Sequence, residues 1–324
     1  MDEAVGRLSF ETLGNASIQV SAGGAPLLVT DPWLQGRVYF GSWGLSHPPS
    51  AVQIERARRS PLVWISHGHP DHLHPGSIAL LDPLVQRILL PDHYARDIRE
   101  HLQGLGFQVS VMRYRRWMPI APGVRIQSLE HANQDAMLLI ELDRTLLIDR
   151  NDCPLHGEKP YLAKLIRGYE SSYLAGLCAV ETDMVNIVDS AGKRVLPAPE
   201  ELKPGAIWEM ADLCSELGVT AFCCSSSQHV YCRRDSAWAN PYRIVFEDMR
   251  RWWNAKEVDL IGPCATVDVG TRRVTMNPPS PAPGWTRVED GTDGDDWDGP
   301  LLAGEWQELE RFFRRFELLP RQLD

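Results

Sequence analysis

The stretch that most constrains the fold of this chain runs from His67 to His72 and reads His-Gly-His-Pro-Asp-His. Its ligand-type side chains follow residues 61–66, an apolar run with the composition of a short buried strand. A strand that ends in a turn can direct several side chains into one pocket, so the pattern predicts a metal site rather than a histidine-rich surface loop. We expect two ions, with His67 and His69 on one and Asp71 and His72 on the other.

The remaining ligands are expected where later strands end. His131 closes the predicted strand over 123–131, and Asp152 follows the predicted strand over 145–150. An aspartate that ends a strand is often only a turn residue, but here the position recurs with ligand-type side chains. Because one carboxylate brings two oxygens and a negative charge, Asp152 is the natural group to bridge two cations.

The composition is that of a soluble globular protein and excludes several classes. The chain has 324 residues, of which 44% are hydrophobic and 23% charged, and its net charge of −10 argues against a nucleic-acid partner. No apolar run approaches the roughly 20 residues that cross a membrane, and the start does not resemble a signal peptide. Seven cysteines, an odd number, do not suggest a disulfide framework. We expect a cytoplasmic enzyme.

Strands and helices alternate through both halves of the sequence. The alternation predicts an α/β protein, an αββα sandwich of two mixed β-sheets flanked by helices. We expect one catalytic domain over 1–324, with an acidic loop near 288–299 and an amphipathic C-terminal helix over 304–319 whose apolar face docks on the body. The finer expectations are two strands within 8–31, a helix capped by Ser77, a helix over 240–256 and a strand over 264–276.

Two groups of residues are candidates for substrate contact. The Gly/Pro-rich loop that follows Asp31 carries Trp33, expected to plug the edge of the core, and three further aromatics, expected to line an apolar cleft: Tyr39, Phe40 and Trp43. A short basic run contains Arg113, Arg115 and Arg116. It is either a solvated strand edge or a contact for a phosphate-bearing part of the substrate, and both interpretations stay open.

With these residues in view, the chain resembles the metallo-β-lactamase fold superfamily, and within it the CMP-N-acetylneuraminic acid hydroxylase-like branch. The segments that carry the narrower resemblance are TDPWLQG at 30–36, the pair His131 and Asp135, NDC at 151–153, residues 225–240 and CATVDVG at 264–270. The resemblance implies a non-haem diiron centre that uses O2 to hydroxylate an unactivated C–H bond. It also implies catalytic roles for Asp71 and Asp152.

The resemblance also implies a ligand set. One iron would be held by His67, His69 and His131, the other by Asp71, His72 and His229, with Asp152 bridging. Glu130 is an alternative to His131 or an additional ligand beside it.

The resemblance carries implications for partners as well. The hydroxylases hold an iron–sulfur Rieske domain, whereas this sequence contains no Cys-x-His…Cys-x-x-His pair, so electrons are expected from a separate ferredoxin and its reductase. Diiron monooxygenases of platensimycin-type terpenoid antibiotic biosynthesis belong to the same group, which implies a large apolar substrate such as a diterpenoid CoA thioester. The residues alone leave a hydrolase open, with two Zn or Mn ions acting on a lactone, phosphodiester or thioester.

Overall fold

The computed structural model describes most of the chain in two compact units. The described residues are 7–92, 97–132, 134–155, 157–180, 189–191, 195–233, 236–277 and 300–317, with side chains up to residue 311. Contacts group the chain into Met1–Glu289 and Asp290–Asp324, and each unit is described by itself.

The strands of the described residues are numbered in chain order. They are β1 (Leu8–Leu13), β2 (Ser17–Ala22), β3 (Ala25–Thr30), β4 (Arg37–Val38), β5 (Trp43–Leu45), β6 (Leu62–Trp64), β7 (Arg87–Pro91), β8 (Gln108–Met112), β9 (Met118–Ala121), β10 (Val124–Glu130), β11 (Ala136–Leu142), β12 (Thr145–Asn151), β13 (Ser171–Gly176), β14 (Ala221–Cys224), β15 (His229–Tyr231), β16 (Asp259–Ile261), β17 (Ala265–Asp268) and β18 (Arg273–Met276).

The helices follow the same numbering. They are α1 (Ala51–Arg58), α2 (Pro75–Ile78), α3 (Asp97–Gly104), α4 (Lys159–Ile166), α5 (Pro199–Leu217), α6 (Phe246–Trp252) and α7 (Ala303–Glu317), with a 3-10 helix at Ala237–Tyr242.

Two large mixed sheets form the centre of the first unit. One has the order β18-β17-β1-β2-β3-β6-β7-β8 and the other β16-β14-β13-β12-β11-β10-β9. The first is parallel from β3 to β8 and antiparallel elsewhere, while the second is parallel from β12 to β16 and antiparallel elsewhere. A small antiparallel sheet, β15-β5-β4, lies apart from both.

Apolar side chains fill the space between the two large sheets and cover their outer faces. Phe10 of β1 and Tyr173 of β13 meet edge to face between the sheets, with ring centroids 5.2 Å apart. Apolar residues of α1, α2 and α3 pack on the first sheet, and those of α4, α5 and α6 pack on the second. The predicted α/β sandwich of two mixed sheets between helices is confirmed.

Two of the finer strand predictions were wrong because turns interrupt the apolar pattern. The segment 8–31 holds three strands, since Gly14 turns the chain with a φ of +54° that favours glycine. The segment 264–276 is a hairpin of β17 and β18, with Arg272 in the left-handed region at φ +56°.

Two of the finer helix predictions were also wrong. The helix expected to start from Ser77 begins at Pro75, and its N-cap is His74, whose Nδ1 accepts the backbone N–H of Ser77 at 3.1 Å. The helix expected over 240–256 is divided into the 3-10 helix and α6, because Arg243 is extended at ψ 136°.

In the described part of the second unit, residues 300–317, the helix α7 begins one residue before the predicted helix. Four side chains were expected to dock this helix, of which Leu309 is exposed, whereas Phe312, Phe313 and Phe316 lie outside the described side chains. The acidic loop at 288–299 and residues 318–319 also lie outside the described residues. The single catalytic domain over 1–324 stays a prediction. Within the described part, no helix has the length and apolar character to cross a membrane.

The start of α1 offers a test of local stability. The Ser50 hydroxyl accepts the N–H of Gln53 at 3.3 Å, and the Gln53 side chain accepts the N–H of Ser50 at 2.7 Å. Because Ser50→Ala removes one half of this capping box, we expect it to lower the free energy of unfolding by about 1 kcal/mol. Urea denaturation measures this loss, and Ser50→Asp is the control that keeps a capping oxygen. Equal losses for both substitutions would contradict a capping role.

Candidate metal centre

The loop after β6 brings three imidazoles and a carboxylate together. His67, Asp71 and His72 are buried, and His69 is exposed. The His67 Nε2 atom is 2.8 Å from His69 Nδ1, and the His67 and His72 rings have centroids 4.2 Å apart. Side chains two and five residues apart therefore converge, as they do where a strand ends in a turn.

Asp152 joins this loop from the end of β12 and belongs to two groups of potential ligands. One group is His67, His69 and Asp152, and the other is Asp71, His72 and Asp152. Within each group the ligand atoms lie within 4.8 Å of one another. A carboxylate shared by two such groups has the placement that a bridging ligand requires.

Backbone and hydroxyl groups hold Asp152 in this position. Its N–H donates to the side-chain oxygen of Asn151 at 2.6 Å, and Asn151 has a left-handed φ of 42°. The Ser226 hydroxyl donates to Asp152 Oδ1 at 2.8 Å, and Asp152 Oδ2 lies 3.2 Å from His72 Nε2. The two carboxylate oxygens thus have different partners.

Asp31, which directly follows β3, orients His67 and His72. It is fully buried and accepts the N–H and the hydroxyl of Ser66 at 2.7 and 2.6 Å. His72 Nδ1 is 2.9 Å from Asp31, and His67 Nδ1 is 2.9 Å from the Ser66 hydroxyl oxygen. Since the hydroxyl proton points to Asp31, the hydroxyl oxygen accepts from His67, and each ring leaves Nε2 for a metal.

Asp71 is held by two further donors. The Tyr39 hydroxyl donates to its Oδ1 at 2.7 Å, and the Asn15 amide donates to its Oδ2 at 3.0 Å. The side-chain oxygen of Asn15 accepts the N–H of Gln228 at 2.7 Å, which ties this carboxylate to the segment before β15. Burial and the Asp71 charge raise the pKa of Tyr39, so the phenol stays a donor.

Burial and neighbouring charges shift the pKa values of His67 and His72 in opposite directions. Burial lowers the pKa of His67 to about 4, so this ring is neutral and ready to act as a ligand. Burial also opposes protonation of His72, but the carboxylates of Asp71, Asp152 and Asp31 outweigh it and raise the pKa of that ring. A cation bound here takes over the role of the His72 proton, which leaves on binding.

His229, the first residue of β15, lies outside both ligand groups, so its ligand role stays a prediction, but its surroundings suit a ligand. It is buried and stacks on Trp43 with ring centroids 3.6 Å apart and an interplanar angle of 3°. Both ring nitrogens are buried without a hydrogen-bond partner in the described part of the chain. Burial and the nearby Arg243 guanidinium lower the pKa of His229 to about 3, so the ring is neutral. Because unpaired buried nitrogens are costly, the site fits a metal.

Part of this chain is similar to a group of known proteins. No family model matches the chain. The cytidine monophosphate-N-acetylneuraminic acid hydroxylase of Asterias rubens is 27% identical over 168 residues, which is 48% of this chain and 25% of that protein. The matched region therefore covers about a quarter of that relative's length.

Two solved structures share the arrangement of sheets and helices. Igni18, a novel metallo hydrolase from Ignicoccus hospitalis, is 15% identical and aligns over 80% of this chain and 97% of its own with a TM-score of 0.50. CmlA, a diiron β-hydroxylase from Streptomyces venezuelae, is 12% identical and aligns over 83% of this chain and 55% of its own with a TM-score of 0.51. At these identities the likeness shows the fold alone.

The chain has the metallo-β-lactamase fold. Two His/Asp groups of this chain have ligand atoms close enough together to hold a metal ion, and about half of the chain is similar to a hydroxylase. Solved structures of the metallo-β-lactamase fold include both a hydrolase and a hydroxylase, so the fold by itself does not choose between the two reactions.

The turn after β10 places Asp135 close to the His67–His72 segment. Asp135 Oδ1 lies 3.8 Å from His67 Nε2. The half-buried His131 is outside both ligand groups, and its N–H donates to the Asp135 carbonyl at 2.8 Å. Glu130 is also outside both groups, since its carboxylate accepts the Ser128 hydroxyl at 2.8 Å and the N–H of Asp92 at 3.1 Å. Ligand roles for His131 and Glu130 stay predictions.

The aromatic side chains of the loop after Asp31 lie in three places: at the site, in the core and on the surface. Tyr39 contacts Asp71 and Trp43 covers His229, so both lie at the site. Phe40 is 93% exposed, and Trp33 is fully buried, as expected of a residue that plugs the core. A substrate cleft along the three aromatics stays a prediction.

The basic run forms a turn between β8 and β9. Arg115 pairs with Glu158 at 2.7 Å, and its guanidinium lies 4.4 Å from the centre of the Tyr161 ring. Arg113 and Arg116 are exposed. Arg115 therefore has partners within the protein. Substrate contact by any of the three arginines stays a prediction.

Sequence reasoning did not find Asp31, Asn15, Asp135 or Ser226 as members of the site. Asp31, Asp135 and Ser226 lie in segments that carry the family resemblance, which is the available signal for them. Asn15 is a turn residue whose sequence neighbours do not mark it. The contacts of Asn15 and Ser226 join positions that lie dozens of residues apart.

Removing the charge of Asp31 tests its orienting role. Because Asp31→Asn deprives His72 of its anionic partner, we expect metal affinity to fall by roughly 10- to 100-fold while the fold is kept. Titration of metal-free protein against a competing chelator measures this affinity. Asp82→Asn, at a surface turn, is the matched control and should bind as the wild type does. Wild-type affinity in Asp31→Asn would exclude the orienting role.

Proposed function

We propose that this chain is a non-haem diiron monooxygenase that uses O2 and external electrons to hydroxylate an unactivated C–H bond. The observation that carries the proposal is the match over 168 residues to a hydroxylase. The two ligand groups that share Asp152 would form the dinuclear site that such a reaction needs.

The chain's own residues divide the binding of metal among them. His67 and His69 would hold one ion, Asp71 and His72 the other, and Asp152 would bridge the two. His229 and either His131 or Asp135 would complete the set. Two iron ions held here would supply the reductive activation of O2 and the transfer of one oxygen atom to the substrate.

Several residues act on the site without a direct redox role. Asp31 and Ser66 keep the Nε2 atoms of His72 and His67 directed at the metal positions. The phenol of Tyr39 retains its proton and fixes the orientation of the Asp71 carboxylate. Trp43 lies flat on His229 and excludes water from that side of the ring.

The finer part of the proposal concerns substrate and electron donor. We infer a large apolar substrate, such as a diterpenoid intermediate of natural-product biosynthesis carried as a CoA thioester. The exposed ring of Phe40 and the exposed guanidinium groups of Arg113 and Arg116 support an apolar substrate with phosphate groups. Electrons would come from a separate ferredoxin and its reductase.

Metal analysis combined with O2 consumption tests the function. Protein purified from iron-supplemented cells is assayed for iron, zinc and manganese, reduced anaerobically and then exposed to O2. We expect about two iron per chain, as the dinuclear site implies, with O2 uptake and a new visible absorption band. The same protein reconstituted with zinc is the control and should consume no O2.

The competing function gives the opposite result. Since histidine and carboxylate ligands do not by themselves select iron over zinc, the site also fits a dinuclear hydrolase. Two zinc or manganese ions per chain, hydrolysis of a lactone, phosphodiester or thioester, and no O2 uptake by the iron form would replace the monooxygenase with that hydrolase.

A further inference from the structure

A cavity of about 430 Å³ lies next to β15, on a part of the protein that the metal centre does not use. Gln228, the residue before His229, lines this cavity, whereas no residue of the two ligand groups does. The remaining wall comes from the segment around α6, from His47 and from the hairpin of β17 and β18. The cavity is therefore a neighbour of the metal centre with its own set of side chains.

The most unusual feature of this wall is Arg243. This half-buried side chain forms no ion pair with any carboxylate among the described residues, and its Nε–H is buried without a hydrogen-bond partner there. Burial lowers the pKa of the Arg243 guanidinium. Burial and the charge of this group lower the pKa of the nearby His47 and His229 rings. Because a shielded cation without an anion is costly, the arrangement favours an anion from outside the protein.

The cavity also has an apolar side. Phe246 and Met276 line it and lie close to Gly262, where an added Cβ would be 2.9 Å from the Phe246 ring and 3.0 Å from the Met276 methyl group. Both side chains are thus closely packed at this glycine. A ligand that binds here can pair its charge with Arg243 and place an apolar part on Phe246 and Met276.

One acidic side chain opposes an anion. Glu247 lines the same cavity, but it is exposed, so water and salt screen its charge. Arg243 is half-buried and its Nε atom is fully buried, so its charge acts through a medium of lower dielectric constant than that around Glu247. The charge of Arg243 therefore outweighs that of Glu247 at the inner wall of the cavity.

We propose that this cavity binds an organic anion whose carboxylate or phosphate group pairs with Arg243 and whose apolar part packs on Phe246 and Met276. Arginine is suited to this role because its planar guanidinium can donate two parallel hydrogen bonds to either group. The site does not depend on which metal the neighbouring centre holds.

Calorimetric titration of the full chain tests the proposal with three small probes that carry the same ring. Phenyl phosphate and benzoate are the anions, and benzyl alcohol is the neutral control. We expect one or both anions to bind and the alcohol to bind at least about tenfold more weakly. The stronger of the two anions identifies a phosphate or a carboxylate as the preferred group.

Substitutions assign the binding to Arg243. Arg243→Gln should weaken binding of the preferred anion by roughly tenfold or more, and Arg243→Lys should recover only part of the affinity, since it keeps the charge but loses the paired donors. Arg250→Gln removes the same charge from an exposed position on α6 and should leave the affinity unchanged. Wild-type affinity in Arg243→Gln would overturn the proposal.

A second variant keeps the test valid if Arg243→Gln does not fold, which circular dichroism reports. Glu247→Gln removes the opposing carboxylate from an exposed position, so we expect the anion to bind a few times more tightly. Unchanged affinity in Glu247→Gln, together with equal binding of anions and alcohol to the wild type, would also overturn the proposal.

Discussion

Asp152→Asn is expected to remove metal from both ligand groups and to lower turnover by about a thousandfold or more. Asp152 is common to both groups, so one substitution weakens both positions. The amide has the same shape as the carboxylate but no charge to offset two cations, and it cannot bridge through two anionic oxygens. Metal content per chain after dialysis and the rate of O2 uptake measure the two effects.

The matched control for this substitution is Asp143→Asn. Asp143 is an exposed residue in the turn between β11 and β12, with a left-handed φ of 52° that asparagine tolerates well. Asp143→Asn makes the same change of charge on the same sheet, and the protein should keep its metal content and its activity. An Asp152→Asn protein that retains wild-type metal content would show that Asp152 does not bind both ions.

His69→Ala is expected to empty one metal position, to leave the other filled and to abolish turnover. His69 belongs to one ligand group only, and its Nδ1 lies 2.8 Å from the Nε2 of His67. The proposed reaction needs two ions, so the loss of either one would stop it. Metal content should therefore fall by about half, in contrast to the larger loss in Asp152→Asn.

His101→Ala is the control for this second substitution. His101 is an exposed residue of α3 outside both groups, and its loss should change neither metal content nor turnover. Because His69 is exposed, the substitution should leave the thermal unfolding of the metal-free protein unchanged. Retained activity in His69→Ala would remove the His-x-His-x-Asp-His motif from the mechanism.

The part of the site that lies in one short segment was accessible from sequence. His67, His69, Asp71 and His72 follow a buried strand directly, and the turn after that strand brings them together. Asp152 was accessible for the same reason, since it follows β12. Local periodicity also predicted the alternation of strands and helices that builds the two sheets.

The turns limited the sequence prediction. His131 directly follows β10, as the pattern requires, but the pattern did not indicate that Asp135, in the turn beyond it, lies near His67. Gly14 and Arg272 adopt left-handed conformations that divide apparently continuous apolar segments. Such turns depend on the backbone conformation of a single residue, which apolar periodicity does not report.

The sequence by itself determined the class of fold and predicted the residues that converge in the candidate metal centre, because strand composition and ligand spacing are local properties. Only the tertiary structure decided which distant residues support that centre. Asp31 reaches His72 because β3 and β6 are parallel neighbours, and Arg243 lines a cavity because the segments around it pack together. Contacts of this kind depend on the order and direction of strands in a sheet, which no short stretch of sequence contains.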